Sequence, residues 1–307
     1  MAGVQVGCIL RPLQPMDGSQ HRELIERVDD AGLDHLAIGD HVGFFNGSGA
    51  DGLLAAAGIL TVSARLSVNT GVYLLPLRHP VVVARQLADL ASLAPGRFVF
   101  GVGVGGEDRN EVQNCGVDPA TRGARMDEAI HIVRALLSGR PLDFDGVHFS
   151  LQQAQITPPP LEPIPIVVGG RSDAAIRRAG RLGDGWFGIW VSPSRYAASL
   201  DTMKLAAADS GRAEPAWMNA LNVWIGVDDD AESARAHVAP AMESFYGMPF
   251  DRFARWSPTG SPQTIADFLV PYVEAGCNVF NLIMNGRSVE HEIEAAAEIR
   301  QLVGAAH

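Results

Sequence analysis

Lysine is almost absent from this chain of 307 residues: Lys204 is the only one, and every other basic side chain except histidine is arginine. Acidic residues number 35 against 24 basic ones, for a formal net charge of -11. That balance excludes the clustered cations which a nucleic-acid backbone demands. Cysteine is scarce as well. Cys8, Cys115 and Cys277 are an odd number without CxxC spacing, which excludes a disulfide framework and a cysteine-zinc cluster. Cys8 and Cys277 fall in the first and last predicted strands, where each serves as a small core residue. No apolar run approaches the roughly 20 residues that span a bilayer. The N-terminus shows no basic stretch followed by an apolar segment, so no export signal is read there. The expected compartment is reducing, namely the cytoplasm.

What is present is a chain with 47% hydrophobic and 19% charged residues, enough for a sizeable core. Short β-rich runs alternate with longer amphipathic stretches, the pattern of a parallel sheet. The predicted strands are Val4–Leu10, His35–Gly39, Leu66–Tyr73, Arg97–Val102, Ile164–Gly169, Gly185–Ile189, Asn219–Gly226 and Cys277–Ile283. Several are apolar throughout, as parallel strands buried on both faces are. Pro80 opens a helix with Val83, Leu87, Leu90 and Ala91 at helical spacing, and Pro95-Gly96 stops it. Asp127 to Leu137, Ser172 to Leu182 and the segment after Ser261-Pro262 read as further helices. A turn signal in Asp143 to Phe149 predicts a small hairpin, and Met248 to Pro258 reads as an insertion over one face. The expected fold class is α/β: a single (β/α)8 TIM barrel with short insertions, one domain over residues 1–307.

Chemistry collects at the carboxyl ends of such strands. Leu36-Ala37-Ile38 ends in Gly39-Asp40-His41, which reads either as a capped turn or as an acid and an imidazole delivered to the mouth. Gly101-Val102-Gly103-Val104-Gly105-Gly106 formally matches GxGxxG. It lacks the early βαβ context of a dinucleotide site, so it reads as a strand exit that lets backbone approach a flat ligand. Gly71, near the end of an apolar strand, marks a kink or bulge. Val168-Gly169-Gly170-Arg171-Ser172 runs from a strand into a helix start. It is either a compact capped turn or an anion site built from backbone N–H groups, with Arg171 as a charged donor; the anion site is favoured because late barrel loops commonly hold phosphate.

These motifs resemble the luciferase-like flavin and deazaflavin oxidoreductase superfamily, and within it the coenzyme F420-dependent branch. The markers are Gly39-Asp40-His41, Thr70-Gly71-Val72, Arg97 through Gly103, Gly106-Glu107-Asp108-Arg109-Asn110-Glu111, Phe144-Asp145-Gly146, Val168-Gly169-Gly170 and Gly183-Asp184-Gly185-Trp186. The resemblance implies a barrel, usually a homodimer, with the deazaflavin ring deep in the mouth and no metal. It implies that Asp40 contacts the cofactor head and that Gly71 and Val72 form a non-prolyl cis peptide behind the ring. Asn110 and Gly106 would border the ring, and Gly169, Gly170 and Arg171 would hold the phosphate. His41 and Glu107 match positions with acid/base roles, and histidine as a residue type exchanges protons near neutrality.

The chain departs from the glucose-6-phosphate dehydrogenases of that branch. Ser192-Pro193-Ser194 stands where one lysine would fall, and only Arg255-Trp256 resembles a remaining substrate cation. With Phe44, Phe45, Trp190, Phe245, Tyr246, Phe250 and Trp256 expected near the mouth, the substrate reads as a small alcohol or carbonyl compound and not glucose 6-phosphate. An FMN-dependent monooxygenase of the same superfamily is the runner-up. A metal-dependent barrel hydrolase is disfavoured, since nine histidines include no HxH or HExxH pair. A cofactor-binding protein without turnover is the third reading.

Overall fold

The computed structural model describes residues 3–9, 17–45, 47–105 and 108–306. Eight parallel strands follow one another around a closed barrel: β1 (Gln5–Ile9), β2 (His35–Ile38), β3 (Ser67–Thr70), β4 (Phe98–Val102), β5 (Ile166–Gly169), β6 (Gly185–Ile189), β7 (Met218–Val227) and β8 (Val279–Asn285). Each strand pairs with its successor, and β8 returns to β1 with Phe280 opposite Val6. The expected α/β TIM barrel is therefore the observed architecture.

The helices are α1 (Gly18–Asp30), α2 (Gly52–Val62), α3 (Pro80–Leu93), α4 (Arg109–Asn114), α5 (Arg122–Leu136), α6 (Asp173–Leu182), α7 (Pro193–Asp209), α8 (Ala231–Tyr246), α9 (Pro262–Glu274) and α10 (Val289–Ala305). Local chemistry starts several of them. Ser172, Ser192 and Ser261 accept helix N–H bonds at the heads of α6, α7 and α9, and proline follows directly in the last two. Outward-facing Val6, Leu36, Val68, Phe100 and Phe280 pack under the helices in the main core. Inward-facing Val99, Val167, Phe187, Ala220 and Val279 fill the barrel.

Several expectations shift at their ends. The third strand stops at Thr70, α5 begins at Arg122, well ahead of Asp127, and the last strand begins at Val279. Cys277 is buried but lies in the turn before β8, not in the strand. The predicted hairpin forms from Leu142–Asp145 and Ser150–Ala154, and the Met248 to Pro258 insertion folds as two 3-10 turns, Phe250–Arg252 and Ala254–Trp256. A second hairpin, His41–Phe44 with Ser48–Ala50, was not read from the sequence. Its strands are too short to show alternation.

A polar chain crosses the barrel interior. His35 donates from Nε2 to Asn281 Oδ1 at 2.7 Å, Asn281 donates to Asn222 Oδ1 at 2.7 Å, and Asn222 donates to the Gly71 carbonyl at 3.4 Å. Gly7 makes room for the ring, since a Cβ there would lie 2.6 Å from His35 Cγ. Burial pushes the His35 imidazole below its ordinary pKa. Below about pH 6.5 the unfolded chain thus takes up a proton that the folded barrel refuses. Stability present above that pH is expected to fall as pH drops, by up to about 1.4 kcal/mol per pH unit. Urea midpoints measured from pH 7.5 to 5 check this. A His35→Gln protein with the same pH slope as wild type would contradict it.

Candidate active site

The mouth is organised by acids that bind backbone. Asp108 caps α4 through the Asn110 N–H at 2.9 Å and also accepts the Phe45 N–H at 2.7 Å. Glu111, with a side chain only 2% exposed, accepts the N–H groups of Val42 at 2.7 Å and Gly43 at 3.2 Å through Oε1. Its Oε2 lies 3.1 Å from His41 Nδ1. The His41–Phe44 hairpin strand is thereby fastened to α4 at three successive residues. His41 keeps 23% of its side chain exposed, and its Nε2 has no hydrogen-bond partner among the described residues.

Asp40 turns the other way. Its side chain is 0% exposed and accepts Gly52 N–H at 3.1 Å, Leu74 N–H at 2.8 Å and both arms of Arg78, one at 2.9 Å. Arg78 in turn lies 4.4 Å over the Tyr73 ring. Burial pushes the Asp40 carboxyl upward and the neighbouring guanidinium opposes that shift. The carboxylate of Asp40 joins the β2 exit, the start of α2 and the segment after β3.

Between β3 and that segment, the Gly71–Val72 peptide is cis, as the resemblance implied. Val72 sits between two glycines of the neighbouring strands. A Cβ on Gly169 would lie 2.6 Å from Val72 Cγ1, and one on Gly103 would collide with Cγ2. Glycine at both positions is thus a packing requirement of Val72, and it leaves bare backbone on three adjacent strand exits.

β5 ends at Gly169, and Gly170 follows with φ +133°, where a side chain would be strained and a Cβ would lie 2.8 Å from Ala175. The Gly170 carbonyl accepts from Trp186 Nε1 at 2.8 Å. Arg171 lies 4.8 Å over the Trp190 ring, and Arg255 lies 3.8 Å over Trp256. Both line a cavity of about 610 Å³ together with Ser192 and Arg195. Arg195 is engaged by Asp173 at 2.5 Å, whereas Arg171 and Arg255 have no carboxylate partner among the described residues. The cationic cavity wall therefore adjoins the Ser172-capped start of α6 through Arg171.

An aromatic wall runs from His41 across the mouth. Phe44 is 4.1 Å from the His41 ring and 4.9 Å from Phe245, and Phe245 is 5.8 Å from Trp224. Tyr246 joins Trp224 to Trp190, at 5.7 and 4.7 Å. Phe250, expected near the mouth, is instead buried beneath α8 with Val238 and Met242.

The structure thus brings His41 beside the helix that carries Asn110, gathers Gly71, Val72 and Gly169 at adjoining exits, and places Arg171, next after Gly170, on the cavity. Gly106 and Glu107 lie outside the described residues. Asn110 is exposed in the first turn of α4. Sequence reasoning missed Arg78 and Trp224, for which no local signal exists. It quoted Glu111 only within a motif. The Asp108 to Glu111 spacing of a helix-start box was the available signal there.

A protein of Beutenbergia cavernae named F420-dependent glucose-6-phosphate dehydrogenase is 34% identical, matching 81% of this chain and 82% of its own. Among solved structures, an F420-dependent secondary alcohol dehydrogenase in complex with an F420-acetone adduct superposes with a TM-score of 0.85 at 22% identity, over 98% of this chain and 99% of that one. The oxygenating constituent of 3,6-diketocamphane monooxygenase from Pseudomonas putida, in complex with FMN, gives 0.77 at 16% identity over 98% of each chain. The two structures share the fold. The model of the luciferase-like monooxygenase family matches residues 5–278, and the chain belongs to that family.

Proposed function

We propose that the chain is a coenzyme F420-dependent oxidoreductase that moves a hydride between the deazaflavin and a small alcohol or carbonyl substrate, and that glucose 6-phosphate is not that substrate. The observation that carries this reading is an anchored imidazole with a free Nε2 at a mouth whose neighbouring strand exits are bare backbone. The relative from Beutenbergia cavernae supports the choice of cofactor. So does the chemistry of the cavity, where the start of α7 and the guanidinium groups of Arg171 and Arg255 suit a phosphate-bearing tail.

The deazaflavin supplies a two-electron carrier that reacts poorly with oxygen. Gly71 and Val72 would back its ring, with Asn110 and Gly106 at the edge, while Gly169, Gly170 and Arg171 would hold its phosphate. In alcohol oxidation His41 takes the hydroxyl proton at Nε2 as the carbonyl forms; in reduction it returns one there. Glu107 would take the opposite acid/base part. Asp40 and Arg78 act from below by fixing the segments that bear these groups. Phe44, Phe245 and Trp224 offer an uncharged wall beside His41, which suits a compact apolar alcohol or ketone better than a sugar phosphate. A homodimer and a cytoplasmic location belong to the same proposal.

Visible spectra during titration with F420 and with FMN test the cofactor. F420 is expected to bind, and Arg171→Ala combined with Arg255→Ala is expected to weaken it about 10–100-fold, the worth of one or two charge-assisted bonds. Tight FMN binding with none of the deazaflavin would replace this reading with an FMN-dependent monooxygenase. Bleaching of F420 by secondary alcohols, and not by glucose 6-phosphate, tests the substrate class.

A further inference from the structure

We infer that Glu111 is a positioning residue that sets which nitrogen of His41 carries the proton. The inference rests on the proposed role of His41 as the proton carrier. Glu111 Oε1 accepts two backbone donors, Val42 N–H at 2.7 Å and Gly43 N–H at 3.2 Å, and lies 3.3 Å from His41 Nδ1. Oε2 faces His41 Nδ1 at 3.1 Å. A carboxylate oxygen only accepts, so the neutral imidazole places its proton on Nδ1 and leaves the Nε2 lone pair open. Phe44, tilted against it 4.1 Å away, and Phe245, edge-on at 6.0 Å, hold the ring against rotation. The His41 side chain keeps 23% of its surface exposed, and no protein group among the described residues is hydrogen-bonded to Nε2.

Glutamine at this position separates orientation from packing. Its carbonyl oxygen can keep both backbone bonds, which forces the amide NH₂ into the Oε2 position. The amide is then the group nearer Nδ1, at the 3.1 Å position against 3.3 Å for the oxygen that already holds two backbone donors, so it donates to Nδ1 and the proton of the neutral ring moves to Nε2. An imidazole in that form cannot accept a proton where the substrate stands. Loss of the correct tautomer costs about 10⁴-fold in a serine-protease triad, so a fall of at least about 10²-fold in kcat is expected here.

The experiment uses full-length protein with ¹⁵N-labelled histidine, read by long-range ¹H–¹⁵N correlation with and without Glu111→Gln, alongside kcat and the Kd for F420. The expected result is an Nδ1–H ring in wild type, an Nε2–H ring in the variant, a kcat lower by at least about 10²-fold, and a Kd changed less than about twofold. An unmoved tautomer overturns the inference, whether or not kcat falls. A switched tautomer with full kcat overturns it equally. His41→Ala at full kcat removes the underlying proposal instead, while leaving the tautomer measurement intact, so the two failures are distinguishable.

Discussion

Replacing His41 by alanine is expected to lower hydride transfer by about 10²–10⁴-fold, the usual contribution of a positioned acid or base, with F420 affinity changed less than about threefold. The two quantities separate because most groups assigned to the cofactor, Gly71, Val72, Gly169, Gly170 and Arg171, lie at the exits of β3 and β5, while His41 sits on a hairpin fastened to α4. Truncation also removes the ring tilted against Phe44, but His41 keeps 23% of its side chain exposed at the mouth, so folding should survive. Stopped-flow absorbance of the bound deazaflavin measures the rate, and fluorescence titration measures the affinity. An unchanged rate would take His41 out of the chemistry. Partial return of activity with added imidazole would support a proton-carrying role over a purely steric one.

The largest loss of stability is expected from Arg78→Ala, which leaves Asp40 as a buried charge without its counter-ion at a cost of about 3–5 kcal/mol. The two remaining backbone donors, Gly52 and Leu74, do not neutralise it. The sign of the pH dependence follows from the chemistry. A protonated Asp40 is no longer a buried charge, so the deficit relative to wild type should shrink as pH falls. Denaturant midpoints at pH 8 and pH 5 give both numbers. A deficit under about 1 kcal/mol at pH 8 would mean that the pair behaves like a surface ion pair. Because Leu74 follows the Gly71–Val72 peptide closely, the variant should also bind the cofactor more weakly than wild type.

Much of the barrel was legible before any coordinates. Runs such as Phe98-Val99-Phe100 are apolar on both faces because helices cover one side of the strand and barrel filling occupies the other. Helix starts at Ser172 and Ser261 were legible because capping is a contact between residues two or three apart. The early His41–Phe44 hairpin was not, since its pairing with Ser48–Ala50 is brief and is held by acids from α4.

By itself, then, the sequence determined the strand count, the order of the motifs and the identity of the imidazole at the end of β2, all of which are local patterns along the chain. Only the tertiary structure decided that Asp40 turns inward to Arg78 and that Glu111, far along the chain, meets His41. It alone lined one cavity with Arg171 and Arg255. Such pairings depend on where barrel closure puts side chains that are distant in sequence, and no spacing rule carries that information.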